Sequence, residues 1–321
     1  MNVIFELYYG VFSVFAALLL VELMGSIYLL LFWKQAMSNV LEYILPTWEI
    51  TGTFAAFVVV MGAFAYPSLL VPIAWTFTSV FVIFLIFFVA RNASLAFAES
   101  IIKRRWLDSV KLYRLYAVST LILSIIVLVL LSTLVSGAGV NLTDKTFSLG
   151  SWASSSGSFL FVIGTFGIGI GLAPVFFALN SLKRIILPMT GIGIGLSILA
   201  YYLFSPSFVS SLLLIPVALT LLLGVLFVLS RKTAIIVSNK AIFITIISTA
   251  IFSLQFMVYP SAVGGTVYVD AVTTSGPMTS AYLVITVVGE MILAIMLGFY
   301  INVAKHQKIH IRTARKNKDD S

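Results

Sequence analysis

Four acidic residues fall inside or beside long apolar runs: Glu22, Glu49, Asp270 and Glu290. Glu22 stands near the middle of the run 11–33 and Glu290 near the middle of 280–303. A bare carboxylate at such depth in hydrocarbon is costly, so each must be protonated, paired or turned toward a wet cavity. A buried carboxylic acid that exchanges protons is what a proton relay needs, which makes Glu22 and Glu290 proton-path candidates. The plainer alternative is a neutral acid donating one interhelical hydrogen bond. Glu49 follows Trp48 in Pro46-Thr47-Trp48-Glu49. There the alternative is a first-turn acid favoured by the helix dipole, beside an interfacial tryptophan. Asp270 reads as a loop-ordering cap before Thr273 and Thr274.

Other chemistries lack their residues. Cysteine is absent, which removes disulfides, thiolate catalysis and Cys-bound iron–sulfur or zinc centres. The two histidines, His306 and His310, lie in the polar C-terminal stretch, so the apolar runs offer no His to haem iron. Their i, i+4 spacing suits a metal, but a solvated tail accounts for them and no metal site is expected. Every Lys and Arg is placed outside the apolar runs, which excludes a retinal-type Schiff base and a voltage sensor. P-loops, nucleophile elbows and zincin motifs are absent. No catalytic residue is assigned.

The elements that hold these acids are membrane spans. Hydrophobic residues make up 61% of the 321 residues and charged ones 9%. No water-soluble fold hides that much apolar surface. Nine runs, at 11–33, 50–66, 68–90, 115–135, 159–181, 185–204, 208–230, 241–259 and 280–303, are near the length that crosses a bilayer. The expected fold is a polytopic all-α bundle, with 1–304 as its transmembrane domain and 305–321 as a basic cytoplasmic tail. Tyr66-Pro67-Ser68 makes a bent hairpin of the second and third runs. The first ten residues carry Glu6 and no basic n-region, which argues against secretory processing.

Basic residues follow the odd-numbered runs, at Lys34, 91–114, 183–184, 231–240 and 305–318; Lys145 alone falls on the other side. Positive loops stay cytoplasmic, so the N-terminus is outside and the C-terminus inside. The net charge of +8 is thus a topogenic and lipid-facing signal rather than a nucleic-acid footprint. The expected location is the plasma membrane. Residues 136–158, Ser- and Gly-rich, read as a flexible outer cap with a sequon at Asn141-Leu142-Thr143.

Gly167-Ile168-Gly169-Ile170-Gly171-Leu172 recurs as Gly191-Ile192-Gly193-Ile194-Gly195-Leu196. Both copies sit inside apolar runs, so a nucleotide loop is the wrong reading. Gly at i and i+4 lets helix backbones approach closely, which assigns Gly167, Gly171, Gly191 and Gly195 to packing of the fifth run on the sixth.

Two stretches carry a family resemblance. One is Leu45-Pro46-Thr47-Trp48-Glu49 leading to Gly62-Ala63-Phe64-Ala65-Tyr66-Pro67; the other is Phe256-Met257-Val258-Tyr259-Pro260, then Val269-Asp270-Ala271-Val272-Thr273-Thr274-Ser275 and a last span. In order and spacing the chain resembles subunit II of the cytochrome bd-type quinol oxidases. It departs from the family at Trp48-Glu49, where the family has Trp-Asp, at Val269, and in a first span without Asp-Gly-x-Asp. The resemblance implies a haem-free chain paired with a subunit I that carries haem b and haem d groups, oxidises quinol and reduces oxygen to water. It also implies that Glu49 is the best proton-path acid and that Asp270 orders its loop. A reading from a different class is a proton-coupled small-solute transporter, which nine spans with buried acids also allow.

Overall fold

A computed structural model describes residues 3–100, 109–259, 261–265, 267–268 and 280–299. Among these, nine helices are long and apolar enough to cross a membrane. Helix α1 (Val3–Leu31) runs into α2 (Trp33–Ala65) with one residue between them. At 33 residues α2 is about 50 Å long, so the inner loop expected around Lys34 is helical, and only Thr47–Ala65 qualifies as a span. Pro67 opens α3 (Pro67–Thr76), and α4 (Thr78–Ser100) follows after Phe77.

This corrects the third span. The run expected at 68–90 divides into the short α3 and a span at Thr78–Ala98. Tyr66 interrupts the helix before Pro67, which cannot donate a backbone bond, and the next uninterrupted helix begins only at Thr78. Arg91, expected in a cytoplasmic loop, therefore lies inside a membrane helix.

The remaining helices are α5 (Ser109–Ser136), α6 (Leu149–Ala153), α7 (Ser156–Phe176), α8 (Lys183–Phe204), α9 (Leu214–Leu229), α10 (Arg231–Val237), α11 (Lys240–Val258) and α12 (Ser280–Phe299). The core is built around α1, which packs on α2, α5, α7 and α11. In its most apolar window 61% of residues are buried, against 17% for α4 and for α12, which sit at the edge.

Helix α7 packs face to face with α8. Gly164, Gly167 and Gly171 of α7 meet Thr190, Gly193 and Ser197 of α8; a Cβ on Gly167 would stand 2.9 Å from the Gly193 Cα. Gly167 and Gly171 are thus where the repeat places them. Gly191 and Gly195 are not: they face outward with open space around them, and Gly193 takes the contact.

The C-terminal end of α7 is tied by three other helices. Pro174 lacks the N–H that would bond the Ile170 carbonyl. The Tyr28 hydroxyl of α1 donates to that carbonyl at 2.8 Å. Asn39 of α2 donates to the Phe177 carbonyl at 2.8 Å, and Lys240 of α11 donates to the Phe176 carbonyl. Lys240 also sits 4.2 Å over the Phe176 ring.

The outer cap is more regular than its Ser/Gly composition suggests. Strands β1 (Val140–Asn141) and β2 (Thr146–Phe147) form an antiparallel hairpin, and β3 (Ser261–Ala262) pairs with β4 (Val267–Tyr268). Buried Trp152 of α6 donates its indole N–H to Ser132 at 2.9 Å, which anchors the cap to α5.

Candidate functional site

Among the described residues, the acids named above fall in two groups of polar residues in the membrane region. The first is a buried charge centre. Glu22 on α1 is 4% exposed and Arg91 on α4 is 3% exposed. The Arg91 Nη2 donates to both Glu22 carboxylate oxygens at 2.5 Å, and Nη1 donates to Asn92 Oδ1 at 2.9 Å. The guanidinium stands 5.7 Å from the ring centre of Tyr116 on α5. Tyr43 of α2, one turn before its span begins, is within electrostatic reach of Glu22 and Tyr116. Burial, and then the Glu22 charge, pushes the Tyr43 phenol up, so it remains a hydrogen-bond donor.

Of the three ways in which Glu22 could be accommodated, the structure selects pairing. The pair binds α1 to α4. Sequence reasoning missed Arg91 because it ended the third span at residue 90, whereas the span runs on to Ala98. Glu22 itself was the available signal: a buried acid calls for a cation, and Arg91 directly follows an apolar run.

The second group lies along α2 and α12. Gly289 packs on the Phe57 ring, and the Thr286 hydroxyl approaches Met61 Sδ at 3.8 Å, so the two helices run antiparallel. Tyr282, Thr286 and Glu290 fall one turn apart on α12. Glu290 is half-buried, and its Oε1 has no hydrogen-bond partner among the described residues. Glu49 on α2 is exposed, as is Thr53, whose hydroxyl donates to the Glu49 carbonyl at 3.0 Å. Trp48 beside it is half-buried against the core. The structure therefore brings Glu49 and Glu290 to one helix pair and places Glu22 in a separate charge centre. Asp270 and the two histidines lie outside the described residues. Among the described residues no group of three His, Asp or Glu side chains gathers as metal ligands.

No protein-family model matches the sequence, and no curated protein matches it. Among solved structures, a chain of the bd oxidase from Geobacillus thermodenitrificans superposes with a TM-score of 0.68, at 16% identity, over 92% of this chain and 96% of that one. Near-complete coverage of both chains extends the likeness to the whole bundle rather than one hairpin. The protein is a multi-pass helical membrane protein with the fold of a bd oxidase chain.

Proposed function

We propose that this chain is the haem-free, subunit II-type member of a bd-type terminal oxidase in the plasma membrane. Its partner subunit I holds the haem b and haem d groups, oxidises quinol and reduces oxygen to water. The observation that carries this reading is the shared fold over nearly the full length of both chains. The lack of any histidine in the apolar runs supports it, since the commonest haem-iron ligand is then missing from the spans.

The α2–α12 edge supports a membrane partner. A carboxyl facing lipid is costly, yet Glu49 is exposed on α2 and Glu290 is only half-buried on α12. Phe64 of α2, Val82, Ile86 and Val89 of α4 and Ile295 of α12 are also exposed large apolar side chains of these edge helices. Subunit I covers this edge, and Glu49 then lies at the subunit boundary, where a proton can pass to the oxygen-reducing side.

Purification of the tagged chain in mild detergent tests the proposal. A second, haem-bearing membrane polypeptide is expected in stoichiometric amount. A chain that purifies alone and moves a small solute into liposomes would favour the transporter reading instead.

A further inference from the structure

Among the described residues, three polar groups of the Glu22–Arg91 centre have no protein atom in good hydrogen-bond geometry: Arg91 Nε, the Tyr43 hydroxyl, which lies beside Thr47, and the Tyr116 hydroxyl, which lies beside the Arg91 guanidinium. Tyr43 is 3% exposed and Tyr116 is fully buried, like the pair they adjoin. They come from four helices, α1, α2, α4 and α5, so this is a meeting point of the bundle and not a turn within one element. Buried N–H and O–H groups left unbonded each cost about 1–3 kcal/mol, and native interiors satisfy such groups with protein atoms or with water.

The chemistry of the three groups defines what fits. Arg91 Nε–H only donates, whereas each phenol both donates and accepts. The ion pair is neutral overall, so no counter-ion is called for. A small neutral molecule that accepts from Nε–H and exchanges bonds with the phenols satisfies all three. Water does this with two to four partners. It also lowers the desolvation penalty of an ion pair held in the membrane region.

We propose that ordered water occupies the contact of α1, α2, α4 and α5, bridging Arg91 Nε to the Tyr43 and Tyr116 hydroxyls. The site is a hydrated charge centre distinct from the Glu49–Glu290 edge. Its water holds the Glu22–Arg91 pair in register, and it is independent of what the assembled protein catalyses.

Electron cryo-microscopy of the purified protein, with any subunit that copurifies, tests this at a resolution that shows waters elsewhere in the molecule. A compact peak within hydrogen-bond reach of Arg91 Nε and at least one of the two hydroxyls is expected. The proposal is overturned by an empty contact, by Arg91 Nε bonding a protein atom directly, or by density too large for water. A second readout is the thermal stability of Tyr43→Phe, Tyr116→Phe and the double variant. Shared water makes the losses non-additive, with the double variant losing less than the two singles combined. Strictly additive losses overturn the bridge, and because each change removes a single oxygen, these variants keep the ring packing.

Discussion

At the scale of single residues, burial separates the acids by role. Glu22 is fixed by Arg91, so Arg91→Leu leaves a buried carboxylate without its cation. A loss of about 3–5 kcal/mol is expected, read as a lower unfolding temperature in detergent. The double change Glu22→Leu with Arg91→Leu removes both charges and should recover much of that loss. Glu49 is exposed and has no such lock among the described residues. In the assembled complex, Glu49→Gln should slow oxygen reduction by up to about 100-fold while assembly stays intact; normal turnover would leave Glu49 as a helix residue only. The sequence alone showed that Glu22 needed a cation or a proton. It did not show which, because the partner is 69 positions away, and only the packing of α5 against both α4 and α1 brings Arg91 to it.

At the scale of elements, nine spans are legible in hydropathy because a bilayer sets a minimum apolar length. Their ends are less so. The Pro67 hairpin looked like one short loop between two spans, yet the chain inserts the ten-residue α3 there, which displaces the third span and draws Arg91 into it. The glycine repeat is half legible for a geometric reason. Glycines at i and i+2 point to nearly opposite sides of a helix, so each copy presents either its outer pair or its middle residue. Helix α7 uses the outer pair, Gly167 and Gly171, and α8 uses the middle one, Gly193. Composition cannot choose between those faces. The expected consequence is asymmetric: Gly193→Leu should cost about 1–3 kcal/mol or more by forcing α7 and α8 apart, whereas Gly195→Leu should be close to neutral for that contact. Yield and unfolding temperature of the two variants check this. Tyr28→Phe likewise frees the Ile170 carbonyl that Pro174 leaves unbonded, and should cost about 1–3 kcal/mol in the same assay.

For the whole molecule, the distribution of exposure carries the argument. The core lies around α1, the least buried spans are α4 and α12, and the edge formed by α2 and α12 bears Glu49 and Glu290. Lipid accounts for the exposed apolar side chains of that edge but not for its carboxyls, and a second membrane subunit accounts for both. The family resemblance was readable from a few turn and span-end motifs, and the fold then agreed over nearly the full chain. Which surface would meet the proposed partner was not readable, since a surface that is apolar to lipid and apolar to a neighbouring helix has the same composition. The most direct measurement is a reduced-minus-oxidised visible absorption spectrum of the tagged chain purified from its native membrane, before and after the copurifying polypeptide is stripped away. The account predicts haem bands in the complex that leave with the partner and are absent from the isolated chain. Haem bands that stay with this chain alone, or a native preparation with neither haem nor partner, would contradict it.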